Sequence, residues 1–533
     1  MSEAPPVPGV PVRVRRRGPR PPRPGELPRR WALVLAAAAL FYAGAHLSIV
    51  LGVWPVHGTP PGAGATLLRD ALALAAWLGA VAALRWARYR GDWGVVVLPV
   101  ALFLLARPAL FQVFTDPVYQ APPAARAEAT ARKAERAQLT TILRAYDEAR
   151  QARVFAGPPP RLPAPLVAAG RATVRERARA LRLASLLSVL LAPATLVGAV
   201  LWARRSGRLE RWRDGRRLPF ALTLGAFFVL ALFFTDRGKV AGTTPWELFL
   251  PIFVGTWAAV LADDAYNLGR PQAALAPRRL AGLLLYGALP LVPFLLIREL
   301  GLSVVLAGSL AAMLLVATRR GWWAALLVAV WAVLVVAAFR LDERAATRFQ
   351  LAYHPYRDPA TMAPAAAQAW AAKLHQFKLF DANVLDGGWW GDGAGRGHGE
   401  TAPNAADDGF VTLFAAQWGW AGGVALAALY TLFLVRMLTV AARERAAFGR
   451  ALAVGLTMLL ALPFWMAFLG GVRVVPLTGV AAAFVAHGGA KLLASALAVG
   501  WVAALSHRQA LADAWEPTAA PPGESGAVGV RVR

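Results

Sequence analysis

No cysteine occurs among the 533 residues, which excludes a disulfide framework, a thiolate metal site and a thiol nucleophile. Charge is scarce: 16% of residues carry one, against about 25% in a soluble domain. Acidic residues are the scarcest of these, 30 against 57 Lys and Arg, giving a formal net charge of +27. Apolar residues fill the gap at 57%, with 20 Trp, against about 45–50% apolar in a soluble domain. A disordered chain needs low hydrophobicity, so that class is excluded, and the composition argues against a soluble multidomain enzyme. What remains is an all-α polytopic membrane protein with basic loops.

A helix needs about 20 mostly apolar residues to cross a bilayer. Twelve stretches qualify, some only with their flanks: 31–54, 66–86, 93–114, 183–203, 218–235, 245–263, 281–297, 301–318, 321–340, 409–438, 449–470 and 474–505. The first is too long in its apolar core, and too closely followed by others, to be a cleavable signal peptide. No internal repeat stands out. Lys and Arg in short loops set orientation. They recur in the tail at Arg13–Arg30, at Arg88 and Arg90, at Arg204–Arg217, at Arg270, Arg278 and Arg279, at Arg319 and Arg320, and at Arg443 and Arg445. The loops between, such as 55–65, carry almost none. That alternation predicts an even number of spans with both termini cytoplasmic. The Arg- and Pro-rich segment 1–30 then reads as a topogenic tail near anionic lipid rather than a nucleic-acid binder.

Two long loops fall on the extracytoplasmic side. Residues 115–182 hold a mixed-charge helical stretch, Ala124–Val154, with pairs such as Glu128 and Arg132 at helical spacing, followed by a Pro-rich break at Pro158–Pro165. A solvated spacer or docking helix suits it. Residues 341–408 form the second loop, between the spans of 183–340 and those of 409–505, with 506–533 as a cytoplasmic tail. Asp407 and Asp408 stand where this loop enters the apolar run Phe410–Leu438, and a carboxylate at a membrane edge is a functional candidate by default. Upstream lies the run Gly387–Gly397, rich in residues able to take φ > 0 and approach a ligand closely. A nucleotide loop is the wrong reading, because no strand precedes it and it faces away from cytoplasmic ATP. Asp392, His398, Glu400 and Asp408 offer oxygen and nitrogen ligands but no recognised metal spacing, so no metal residue is assigned. A divalent cation stays open as a cofactor.

Several motifs, in order, resemble those of the SEDS family (shape, elongation, division and sporulation), the group of FtsW, RodA and SpoVE. Arg348-Phe349 followed by Pro355-Tyr356-Arg357-Asp358-Pro359 is similar to R-I-x-x-[FW]-L-[ND]-P-f-x-D-P. His375-Gln376 and then Gly387–Gly393 resemble Y-Q with G-G-x-x-G-K-G. Pro403–Asp408 sits on L-P-E-A-H-T-D, which places Asp408 at the essential aspartate. Gly419–Gly422, Pro476–Val480 and Phe484–Gly489 resemble L-G-F-I-G, P-V-T-G-V and F-I-S-Y-G-G. Pro245-Trp246-Glu247 stands where Q-P-S-E is expected, and Glu299-Leu300-Gly301 where D-L-G is. The likeness covers about 236–508 and implies a ten-helix core, so this chain carries about two further N-terminal spans within 31–114, plus the 115–182 insertion. There are departures: Leu250 replaces the lysine after Q-P-S-E, Ala481–Ala483 replaces P-L-P, Ala486-His487 replaces S-Y, and Asn404 and Ala406 replace Glu and His.

The resemblance implies an inverting peptidoglycan glycosyltransferase that moves a glycan from an undecaprenyl-diphosphate donor to the hydroxyl of lipid II, in division or shape maintenance. It also implies a class B penicillin-binding protein as partner, beside lipid II, the growing strand and membrane lipids, and no nucleic acid. Asp408 would be the general base, its pKa raised by partial desolvation; its alternative role is an N-cap for the helix from Gly409. Substrate-binding candidates are Arg348, Gln376, Gly387, Gly388, Glu247, Glu299 and Lys491. The diphosphate needs positive charge, and Arg348 is the cation matched to a family position; Arg237, Lys239, Arg298, Arg357, Lys378, Arg396 and Arg473 also lie on that side. Lys491 within the last span should face a cavity or a carboxylate such as Glu247 or Glu299, with snorkelling as its alternative. Gly387, Gly388, Gly479, Gly488 and Gly489 serve equally as turn and packing residues. Two other functions compete: a transporter or flippase for a lipid-linked precursor, and a degenerate scaffold for a transpeptidase.

Overall fold

The computed structural model describes residues 24–57, 63–115, 188–205, 207–233, 245–269, 286–296, 299–341, 364–396 and 405–515. Among the described residues every regular element is helical, the outcome expected where a backbone must satisfy its own N–H and C=O groups. The elements are α1 (Arg29–Ser48, continued by a π turn at Ile49–Val53 and Trp54–His57), α2 (Ala63–Trp86), α3 (Trp93–Thr115), α4 (Ser188–Ala203), α5 (Arg208–Asp214), α6 (Arg217–Phe233), α7 (Leu250–Gly269), α8 (Leu300–Thr318), α9 (Gly321–Leu341), α10 (Pro364–Asp386), α11 (Phe410–Arg443), α12 (Ala447–Gly471) and α13 (Gly489–Trp515).

Eight of these are long and apolar enough to cross a membrane: α1, α2, α3, α7, α8, α11, α12 and α13. The expected span at 183–203 corresponds to α4, which meets α5 at an 87° bend and counts as a ninth only if the pair is taken together. The runs at 218–235 and 321–340 correspond to α6 and α9, apolar over Arg217–Leu230 and Gly321–Val333. At 281–297 the described part, 286–296, is helical throughout, with a 3₁₀ turn at Leu289–Leu291 running directly into Val292–Leu296. The 1–23 tail, the 116–187 insertion and the 516–533 tail lie outside the described residues.

α12 is the centre of the bundle. Small residues let its neighbours approach: a side chain at Gly455 would run into Met313 of α8 and Val254 of α7, and Leu462 of α12 fills the space over Gly308 of α8. Pro463 interrupts α12. Nearby, the Tyr430 hydroxyl donates to the Leu460 carbonyl at 3.2 Å, and its ring stacks on Phe464 with centroids 3.8 Å apart.

The two ends of the bundle differ. One gathers the arginines of the short loops. There Arg204 donates to the Ala87 carbonyl at 2.7 Å, the Arg90 N–H to His507 Nδ1 at 2.9 Å and Gln509 to the Val440 carbonyl at 2.9 Å. Arg436 pairs with Asp92 at 2.5 Å, Arg213 and Arg216 share Asp263, and Arg508 meets Glu210. The opposite end brings together the end of α1, the Gly-rich run 387–396, the start of α11 and the segment 472–488.

Candidate functional site

Helix α11 breaks at its tenth residue. Gly419 sits at φ 65°, ψ −171°, a region open in practice only to glycine. The break strips the neighbouring turns of their helical partners, and the Gly-rich run replaces them. Asp392 N–H donates to the Ala416 carbonyl at 3.0 Å, and Gly393 N–H to Gln417 at 2.9 Å. In return, Trp420 N–H donates to the Gly388 carbonyl at 2.9 Å and Ala421 N–H to Trp389 at 3.0 Å. Gly388, Gly391, Gly393 and Gly395 all have positive φ. A side chain at Gly387 would strike the Ala415 carbonyl, and one at Gly391 would strike the Gln417–Trp418 backbone. Gly387 and Gly388 thus hold a splice between loop and helix. This leaves Trp389 and Trp390 at 73% and 83% exposure.

The splice fixes the first turn of α11. Asp408 is 6% exposed, with Ala405 and Ala406 buried beside it and Asp407 half-buried. The N-cap of α11 is Gly409, one residue beyond Asp408. The Ala406 carbonyl accepts from His487 N–H at 2.7 Å, which ties the Asp408 segment to the turn before α13. In that turn Phe484 has φ 64°, a strained value for a bulky residue, with its ring edge-on to Phe433 and to Trp77 of α2.

Lys491 on α13 faces Glu247, as expected of a cation deep in a span. Its Nζ lies 3.7 Å from Glu247 Oε1, and both side chains are under 10% exposed. Snorkelling is thereby replaced by pairing. Leu250, standing where the family places a lysine, is buried three residues beyond Glu247. Glu299 is half-buried at the N-cap of α8, and Gly301 after it abuts Thr478 and Val480, so the Glu299–Gly301 and Pro476–Val480 motifs touch. Gln376 lies buried on α10 at 4% exposure; this helix inside the 341–408 loop was not anticipated.

Among the cations expected on the outer side, Arg473 is taken by Asp381 at 2.6 Å and lies over the Phe377 ring, while Lys378 and Arg396 are exposed. Arg348, Arg357, Arg237, Lys239 and Arg298 lie outside the described residues, as do His398 and Glu400. Among the described residues no three His, Asp or Glu side chains converge on a metal position. Burial raises the carboxyl pKa values of Asp386 and Asp392, with Asp386 adding to the rise at Asp392. Burial also raises that of Asp381, against the pull of Arg473.

The order and junctions of these motifs find a counterpart in known proteins. The model of the FtsW, RodA and SpoVE cell cycle proteins matches residues 242–511, just over half of the chain. The chain belongs to that family. A peptidoglycan glycosyltransferase RodA of Mycobacterium tuberculosis is 30% identical over 231 residues, 43% of this chain and 47% of that protein. A probable peptidoglycan glycosyltransferase FtsW of Geobacter sulfurreducens is 26% identical over 310 residues, 56% of this chain and 79% of that one. The chain thus spans about half the length of the RodA relatives it matches. Among solved structures, a member of a peptidoglycan synthase complex aligns with 64% of this chain and 98% of its own at 20% identity and a TM-score of 0.46. The Thermus thermophilus rod-shape-determining RodA aligns with 78% and 97% at 18% identity and 0.40. As a FtsW/RodA/SpoVE protein with eight or more apolar spans, this is a multi-pass membrane protein.

Proposed function

We propose that the chain is a peptidoglycan glycosyltransferase, extending glycan strands from lipid II at the outer face of a bacterial plasma membrane. The observation that carries the reading is the burial of Asp408, at the family's aspartate position, in a junction braced by the His487 N–H at the start of α11. A carboxylate so held is suited to take the proton from the acceptor sugar hydroxyl as that oxygen attacks the anomeric carbon. The bond to the diphosphate then breaks with inversion. Cations offset the departing negative charge; Arg348 and Lys491 are the residues assigned to it, with Glu247 setting the position of Lys491. Gln376 and Glu299 orient the sugar-linked groups, and the Gly387–Gly388 backbone allows close approach. The basic end of the bundle is cytoplasmic by the positive-inside rule, which places both termini inside and Asp408 outside. A class B penicillin-binding protein is the partner that would cross-link the strands.

The test is lipid II polymerisation by the purified protein with that partner, comparing wild type with Asp408→Ala. Glycan strands from wild type and none from the variant are expected. If the wild type makes no strands yet moves lipid II between leaflets, the chain is a transporter. Equal polymer from both proteins removes Asp408 from the chemistry.

A further inference from the structure

The reaction above makes no use of the two tryptophans that stand out from the Gly-rich run. Trp389 and Trp390 follow Leu385, which is exposed as well. The bonds of Gly388 and Trp389 to Trp420 and Ala421 set the pair beside α11, on which Trp420 and Val424 are exposed. That exposed stripe continues down the helix through Leu432, Val435 and Leu438. Because α11 is long and apolar enough to span a membrane, the stripe faces lipid, and the tryptophans extend it at the end away from the arginines. Adjoining apolar side chains this far out of a fold mark a contact with something else.

Two helices measure how deep the pair lies. At the basic end Arg436 of α11 pairs with Asp92 and lies over Trp31 of α1, 5.8 Å from its ring centroid, so Arg436 and Trp31 share one level. From there Ala421 is about 22 Å along α11, at about 1.5 Å per residue. The second measure is α1, whose Ile49 packs on Ala394 and would be struck by a side chain at Gly395. Trp31 to Ile49 is about 27 Å by the same rise. A buried cluster pins α1 to its neighbours: His46 Nε2 lies 3.3 Å from Asp70 Oδ2 of α2, and Asp70 Oδ1 accepts from Arg107 Nε of α3 at 2.9 Å and from Arg69 Nε at 3.1 Å. A hydrocarbon core is about 30 Å deep, and an arginine reaches a few ångströms outward from its Cα to the headgroups. With Arg436 and Trp31 at one boundary of the bilayer, Trp389 and Trp390 stand at the other.

We propose that Trp389 and Trp390 are a membrane anchor, seated among the lipid headgroups of the leaflet opposite the basic end. An indole suits that layer, apolar over its rings and able to donate its N–H to a headgroup or to water. The exposed charges nearest in sequence, Asp386, Asp392 and Arg396, leave no cationic surplus, so the anchor does not depend on anionic lipid. The inference holds whichever reaction the protein runs.

Because the chain has no cysteine, one introduced thiol carries a single nitroxide label. The experiment uses the full chain in phosphatidylcholine vesicles, labelled at Trp390→Cys, and compares collisions with oxygen, which concentrates in lipid, and with a water-soluble nickel chelate. Val424→Cys on the lipid-facing stripe and Ala446→Cys in the loop between α11 and α12 mark the two extremes. The oxygen-to-nickel ratio at 390 should lie several-fold above that at 446 and below that at 424, and stay there when phosphatidylglycerol is added. A ratio equal to that at 446 puts the pair in water and overturns the anchor. Low rates with both reagents mean that protein covers the pair, a second copy or a partner, and overturn it too. So does insertion that appears only with phosphatidylglycerol. Trp389→Cys repeats the comparison, which guards against a misfolded Trp390→Cys. A label at Asp392→Cys reads the anchor with both tryptophans in place: replacing them by serine should lower its ratio several-fold towards that at 446, and an unchanged ratio overturns the proposal.

Discussion

The two ends of the bundle hold their charges in opposite ways. At the basic end the pairs are many and wet: the side chains of Arg213 and Asp263 are 35% and 36% exposed. Toward the opposite end two pairs are dry, the side chains of Arg107 and Asp70 being 4% and 1% exposed and those of Lys491 and Glu247 8% and 9%, although the Arg473–Asp381 pair there is 21% and 40% exposed. An exposed pair contributes about 0–1 kcal/mol and can be exchanged, whereas a buried one is expensive and, once made, costly to break. The exposed pairs can therefore be exchanged at little cost, and the buried ones are where individual side chains matter.

That contrast can be broken in steps. The largest effect is expected at Asp408, where loss of a general base should cut polymerisation by about 10²- to 10⁴-fold with little change in thermal stability, read by lipid II turnover and a melting curve on one preparation. Next comes Lys491→Leu, which strands Glu247 in an apolar setting and should destabilise by about 3–5 kcal/mol. Adding Glu247→Leu should return much of the stability but not the polymerisation, as denaturant titration and turnover would show. Gly419→Ala should cost about 1–3 kcal/mol and speed hydrogen exchange at the Asp392 and Gly393 amides. At the basic end, Asp263→Ala should change stability by under about 1 kcal/mol, and less at high salt.

The smallest expected effect is a pH effect. Burial raises the Asp392 pKa above its unfolded value, so the folded state favours the neutral acid. The cost to stability is absent at low pH and grows as pH rises through the carboxylate range. Asp392→Asn should therefore melt slightly higher than wild type at neutral pH, with the gain vanishing below about pH 4; an unchanged difference across that range would remove Asp392 from the account.

Much of the architecture was legible in the sequence, because a run of about 20 apolar residues has few alternatives. Helix α10 was not: Lys373, Gln376, Lys378 and Asp381 dilute its apolar residues, and a stretch of that polarity between the prolines at 355–364 and the glycines from 387 reads as loop. The break in α11 was hidden as well, since Gly419 inside an apolar run looks like a packing glycine; its backbone angles and the hydrogen bonds of Ala416, Gln417, Trp420 and Ala421 to the 388–393 backbone distinguish it. Lys491 was readable because a cation at that depth demands a partner, and Glu247 answers. The same logic applied to Arg69, Asp70 and Arg107 would have exposed the N-terminal cluster. Those residues stand outside the motifs that drew the eye, and their convergence needs three helices brought together.

The splice at Gly419 divides α11 mechanically. Its short leading rod, Phe410–Trp418, is laced to the Gly387–Gly393 strap as well as to the rod that continues to Arg443. Two of the strap's four hydrogen bonds to α11 go to the leading rod and two to Trp420 and Ala421 of the longer one, so the strap clamps the joint itself, between Asp408 at the start of the leading rod and the exposed Trp389–Trp390 pair on the strap.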